Sequence, residues 1–196
     1  MVIKIMKTKI LLVVAIMLGS FSMAKAQGYV AGYGGKHNSV KADFNCGWFI
    51  SKFEDRYGDS HRGIFGTGFS ASYEHVFKPG VGFGLNYIME NGNEDDIKTQ
   101  FIGPSAVYAG SFGSWTLSYS VGLGLGKINY NSYRMGYYDD NGFGYFAQVE
   151  AQKRFSDHFG IAAGLRVLDI TTSVSDNGGF EGTGSLRFTI GPRFYF

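Results

Sequence analysis

Three stretches of the sequence carry residue types that could do chemistry. Gly122, Gly124 and Gly126, followed by Lys127, suggest a loop that cradles a phosphate. Such a loop needs a glycine, four residues and then Gly-Lys-Ser/Thr, so that backbone N–H groups wrap the phosphates and a hydroxyl holds magnesium. Here Ile128 follows Lys127, and Val121 stands five positions before Gly126. The dinucleotide fingerprint fails too, because Lys127 occupies the place of its last glycine. Asp59-Ser60-His61 has the residue types of a hydrolytic triad, but adjacent residues point in different directions and triads converge from separated positions. Glu94-Asp95-Asp96 and Asp139-Asp140 could meet calcium, yet neither has the spaced ligand ladder of a dedicated loop. The expectation is no catalytic, cofactor-binding or metal-ligating residue, and no enzyme.

A different order governs the glycines. Trp115, Leu117, Tyr119, Val121, Leu123 and Leu125 alternate with Thr116, Ser118, Ser120, Gly122, Gly124 and Gly126. A period of two with one greasy side is the pattern of a long strand. The same alternation recurs along the chain. Val40, Ala42, Phe44, Cys46, Trp48 and Ile50 oppose Lys41, Asp43, Asn45, Gly47, Phe49 and Ser51. A second run, about 64–77, sets Phe65, Phe69, Ala71 and Tyr73 against Gly66, Gly68, Ser70, Ser72 and Glu74. A third sets Val81, Phe83, Leu85, Tyr87 and Met89 against Gly82, Gly84 and Asn86. The fourth, about 97–109, contains Pro104, and its facing is ambiguous. The sixth sets Phe143, Tyr145, Ala147, Val149 and Ala151 against Gly144, Gln148, Glu150 and Gln152. The seventh has Ile161, Ala163, Leu165 and Val167 opposite Gly164 and Arg166. The eighth has Leu186, Phe188, Ile190, Pro192, Phe194 and Phe196 opposite Ser185, Arg187, Thr189, Gly191, Arg193 and Tyr195.

Eight runs of roughly 10–14 residues exceed the 5–6 usual for soluble strands and suit tilted membrane strands of about 9–11. The connections alternate in length. Short turns at 78–80, 110–113 and 156–158 follow the even runs, and long polar loops at about 51–63, 90–96, 129–142 and 172–182 follow the odd ones. A backbone in lipid must satisfy its own N–H and C=O groups, which strands achieve only by closing on themselves. The expected fold is therefore an all-β, eight-stranded antiparallel up-and-down transmembrane barrel, with short turns at one end and long loops at the other. In that fold the row Gly122, Gly124, Gly126 points into a narrow, filled interior.

Met1 to Ala26 reads as a secretory signal peptide. Lys4, Lys7 and Lys9 lead into the apolar run 10–18, and Ala24-Lys25-Ala26 supplies the cleavage pattern. The nine apolar residues are too few for a helical span, which needs about 20. The signal peptide's four lysines take the chain's 18 basic residues down to 14 against 16 acidic ones, so nothing favours nucleic acid. Cys46 is the only cysteine, which excludes an internal disulfide. Residues 27–196 form the single barrel domain, with strands from about 38.

The interior positions include Lys41, Asp43, Glu74, Glu150, Arg166, Arg187 and Arg193. Three acids and four bases in one narrow barrel are expected to neutralise each other, since buried charges are tolerated only when paired. The competing reading is a proton or ion path. Trp48 near the loop end of its strand and Trp115 near the turn end of its own fit interfacial aromatic girdles. Tyr130, Tyr133, Tyr137 and Tyr138 fall in the third loop.

The ending Arg193-Phe194-Tyr195-Phe196, with apolar residues at every second position back to Leu186, resembles the assembly signal of bacterial outer-membrane barrels. From about residue 38 the chain is similar to the small eight-stranded family typified by OmpX and the OmpA transmembrane domain, often labelled outer-membrane β-barrel or porin family. The resemblance implies an outer-membrane location, Phe194 and Phe196 as the assembly signal, and the barrel-assembly machinery and membrane lipids as partners. It further implies a monomer without enzymatic activity, whose loops serve surface interaction or envelope integrity. The alternatives are a narrow pore or lateral path for small molecules and, beyond these, a lipid-modifying enzyme in which only His61 could reach outer-leaflet lipid.

Overall fold

A computed structural model describes residues 38–54, 60–77, 80–92, 97–132, 136–172 and 182–196. The signal-peptide and lead residues before 38 lie outside these. Eight strands follow in order: β1 (Asn38–Glu54), β2 (Ser60–Val76), β3 (Val81–Gly92), β4 (Lys98–Phe112), β5 (Trp115–Ser132), β6 (Gly136–Arg154), β7 (Phe159–Thr172) and β8 (Thr183–Tyr195). Each pairs antiparallel with its chain neighbours, and β8 closes on β1 to complete the barrel. Backbone bonds between Asn38 and Phe196 hold the seam at its end. No helix among the described residues is long and apolar enough to cross a membrane.

Register fixes the shape. Paired residues followed once around from Ser39 run through Glu74, Gly84, Ser105, Gly122, Phe146, Leu168 and Ser185, and return to β1 at Phe49. The path has climbed from position 39 to 49. Ten residues of about 3.3 Å set against eight strand spacings of about 4.8 Å incline the strands by about 40°. Along β5 the outward side chains stay apolar from Trp115 to Leu125. Ten steps at that inclination make a belt about 25 Å tall, the height of a membrane barrel's apolar band. Leu123 is 60 % and Leu125 71 % exposed, values that make sense for side chains solvated by lipid.

The turns at the end bearing Asn38 and Phe196 are tight. Gly80 (φ +88°) closes the β2–β3 turn by donating to the Phe77 carbonyl at 2.8 Å, and Gly113 (φ +60°) takes the left-handed position between β4 and β5. At the other end the structure corrects two of the expected loops. Most of 51–63 and of 129–142 is strand, leaving only 55–59 and 133–135 outside the described residues. The strands accordingly run 12 to 19 residues. The β1–β2 and β5–β6 hairpins thus continue past the apolar belt from opposite walls. Tyr130, Tyr137 and Tyr138 lie on strands, and Tyr133 lies outside the described residues.

The ambiguous fourth run resolves as one regular strand. Ile102, Pro104 and Ala106 face outward, while Phe101, Gly103, Ser105 and Val107 face in. Pro104 pairs with Leu85 on β3, but the β4–β5 ladder is interrupted at Gly103 and Pro104, where proline has no N–H to give. Pro104→Ala should restore a ladder bond inside the apolar belt and stabilise the barrel by about 1 kcal/mol. The urea midpoint of the protein folded in lipid measures this, and an unchanged or lower midpoint contradicts it.

Candidate functional site

The interior is stratified. Nearest the termini, Lys41 on β1 contacts Glu74 on β2 at 2.7 Å and Glu150 on β6 at 2.6 Å. Arg193 on β8 reaches Asp43 at 2.6 Å and also pairs with Glu150. Neutral side chains complete this layer. Gln148 donates to Glu150 at 2.8 Å, Gln152 donates to Ser118 at 2.9 Å, and the Tyr195 hydroxyl donates to Gln152 at 2.9 Å. Glu150 sits at the centre, shared by one lysine and one arginine.

Farther from the termini lie Arg166 on β7 and Arg187 on β8, paired partners in the sheet. Their positive charges meet Glu90 on β3: Arg187 Nε stands 3.2 Å and Arg166 Nη2 3.8 Å from its carboxylate. Glu90 is completely buried. Arg166 also donates to Ser70 at 2.8 Å, and Asn45, with its amide oriented to suit both neighbours, accepts from Arg166 at 2.9 Å. Arg187 donates to the Gly47 carbonyl at 2.9 Å and lies over the Phe49 ring at 4.3 Å. Gly66 leaves the path of Arg187 open, since a Cβ there would stand 3.0 Å from its guanidinium.

The structure therefore brings all seven sequence-designated charged residues into the interior and adds an eighth. Alternation in the third run ends at Met89 and 90–96 reads as loop, which leaves Glu90 out of the interior set. With it the fully buried charges among the described residues number four acids and four bases. The period-two rule, continued one step past Asn86 and Ile88, would have found it.

Apolar side chains pack beside the upper charged layer and beyond it toward the loop end. Ile88, Phe101, Ile128, Phe146, Leu168 and Ile170 form one cluster, and Phe49, Ile64, Ile97 and Tyr130 another. Phe101 and Phe146 meet edge to face with centroids 5.5 Å apart. The glycine row serves this packing. A Cβ on Gly122 would collide with the Phe146 ring and one on Gly126 with Ile170, while at Gly144 it would lie 2.7 Å from Phe101. Small residues on the strand walls are what admit large ones to the centre.

Outside, Trp48 makes edge contacts with Phe65 (5.9 Å) and Phe188 (6.4 Å). Trp115 starts β5 beside the turn, with the Lys153 ammonium 5.0 Å from its ring. Phe194 packs on Phe159 at 5.6 Å and Phe196 near Tyr73 at 6.5 Å, both on the outer wall at the terminal end. Ser60 and His61 fall on β2, and Asp59 lies outside the described residues. Among the described residues no group of three His, Cys, Asp or Glu side chains could hold a metal ion.

Neither a protein-family model nor a curated protein's sequence matches the chain. Solved structures do. Neisserial surface protein A superposes with TM-score 0.64 at 16 % identity, covering 81 % of this chain and 97 % of that one. The outer membrane protein OprG from Pseudomonas aeruginosa gives 0.54 at 13 % identity, covering 85 % and 99 %. The N-terminal β-barrel domain of Pseudomonas aeruginosa OprF gives 0.52 at 16 % identity, covering 82 % and 99 %. The chain shares the closed eight-stranded fold of these outer-membrane barrels.

Proposed function

We propose that the chain is an integral protein of the bacterial outer membrane, without catalytic activity, whose loop-end surface mediates contacts or supports envelope integrity. The observation that carries this reading is the closed sheet wrapped in an apolar belt about 25 Å tall around a charged, hydrogen-bonded interior. A soluble barrel of this size would hide Leu123, Leu125 and Phe143 and expose Lys41 and Arg193; here the reverse holds. On this reading residues 1–26 direct export, Phe194 and Phe196 present the terminal signal to the barrel-assembly machinery, Trp48 and Trp115 sit at the two interfaces, and the barrel works as a monomer. The interior packing supports a scaffold more than a narrow pore. One apolar cluster packs at the level of the upper charged layer and a second lies beyond it toward the loop end, so a polar solute meets both as well as the paired charges.

Folded into detergent micelles, the purified chain should give a far-UV strand spectrum and migrate on gels at a different apparent mass before and after boiling. A mature chain that is monomeric and soluble in water without detergent contradicts the proposal.

A further inference from the structure

The β1–β8 seam is broken near its terminal end. Ser39, Val40 and Lys41 pair with Tyr195, Phe194 and Arg193, and pairing resumes only at Phe44 and Ile190. Between them Ala42 and Asp43 stand opposite Pro192 and Gly191, and proline has no N–H to give. The two backbones stay close across the break, since a Cβ on Gly191 would collide with the Ala42 carbonyl. The β7–β8 ladder runs through the same residues without interruption, so the defect belongs to the seam alone. Beyond the break the seam keeps only a short ladder, from Lys41 to the Asn38–Phe196 backbone bonds.

An ion pair stands at this place. Arg193 Nη1 donates to Asp43 at 2.6 Å, from β8 to β1 across the seam, and to the Pro192 carbonyl beside it at 2.9 Å. Both charged side chains are buried. The other arm of the guanidinium pairs with Glu150 on β6, whose second oxygen takes Lys41 of β1 at 2.6 Å. Lys41 and Arg193 are sheet partners, and like charges directly opposite repel, so the seam depends on the acids around them. Of this layer's ion pairs, Asp43–Arg193 is the one that joins β1 directly to β8. The β4–β5 break at Pro104 has no such device. There the interior positions opposite each other are Gly103 and Gly124, which carry no side chain to bridge the gap.

We propose that the Asp43–Arg193 ion pair is the latch of the barrel. It stands in for the ladder bond that Pro192 denies the seam. When it lets go, the ends of β1 and β8, 38–43 and 191–196, part as one unit while the rest of the sheet stays closed. Freed at the barrel's end, their N–H and C=O groups turn to water. The closed sheet thus has one line along which it opens.

Backbone hydrogen exchange of the chain folded into phosphatidylcholine vesicles, read strand by strand, tests this. Asp43→Asn keeps the shape of the side chain and removes its charge. It should speed exchange at 38–41 and 193–196 by about tenfold or more, a buried ion pair being broken, and leave β3 to β6 as protected as in the parent. Glu74→Gln is the matched control. It removes an equally buried carboxylate of the same layer, but one whose ion pair joins β1 to β2 and does not cross the seam. Its seam should exchange like the parent's. Pro192→Ala returns the missing N–H, so in that background Asp43→Asn should cost the seam much less protection. Equal loss in the two backgrounds overturns the proposal. So do protection lost evenly over all eight strands, a seam unchanged by Asp43→Asn, and a Glu74→Gln seam as open as that of Asp43→Asn. An Asp43→Asn chain that fails to fold even when combined with Pro192→Ala overturns it too, because Asp43 then holds far more than one seam.

Discussion

Glu90→Ala should destabilise the barrel by about 3–5 kcal/mol, among the largest effects of any single side chain. The carboxylate is fully buried between two arginines, and its loss leaves Arg166 and Arg187 facing each other in a space closed to water. Among the described residues the other hydrogen bonds of Arg166 go to neutral Ser70 and Asn45, with the carboxylates of Asp43 and Glu150 acting at longer range, and Arg187 has a carbonyl and an aromatic ring. None of these places a second carboxylate in contact with either guanidinium. The pairing makes a sharper claim, because Glu90→Leu combined with Arg187→Met should recover a large part of the loss by removing the stranded cation with its partner. Urea unfolding of the lipid-inserted protein measures both. Strictly additive losses in the double variant would mean that Glu90 and Arg187 do not act on each other.

Glu90 also shows where the sequence stopped being legible. The strand count, the facing of β1, β3, β5 and β8, and the interior position of seven charged residues follow from a period of two, because each strand meets lipid on one side and a packed interior on the other. That contrast fades past the belt. At β1–β2 and β5–β6 the chain continues as strand where both sides are polar or mixed, so alternation no longer marks it and 51–63 and 129–142 read as loop. Glu90 lies just at that fading edge. Phe146 escapes the pattern for another reason: an aromatic residue on the polar side of β6 breaks the alternation, and it is the opposing Gly122 that makes room for it. Sequence shows the glycine and the phenylalanine, and only register shows that they face each other. For β4, Phe101 and Val107 inside and Ile102 outside make both sides apolar, so the facing could be read only once β3 and β5 supplied it.

The second expectation contrasts two adjacent positions, 123 and 124. Leu123 lies on the outer wall one outward step short of the belt's loop end at Leu125, so arginine there should cost less than the roughly 2–4 kcal/mol of the bilayer midplane. One residue on, the failure has a different cause. A side chain at Gly124 runs into the Ile102 carbonyl and stands 2.7 Å from the Gly103 Cα, so even alanine must push β4 away. Gly124→Ala should therefore cost about 1–3 kcal/mol by overpacking. Leu123→Ala, which only trims a lipid-facing side chain, should cost less. Unfolding midpoints in vesicles rank the variants, and a Gly124→Ala barrel as stable as Leu123→Ala would place the glycine away from the packed wall.

The account stands on the facing of β5, and site-by-site labelling tests it most directly. In a Cys46→Ser background, single cysteines at positions 117 to 125 carry a fluorophore in the folded, vesicle-inserted protein. Labels at 117, 119, 121, 123 and 125 should be quenched by probes attached to lipid chains. Labels at 118, 120, 122 and 124, wherever the chain still folds, should escape quenching. A quenching profile with period two in this phase is the result a closed barrel in lipid gives; a flat profile, or one with the phase inverted, would contradict it.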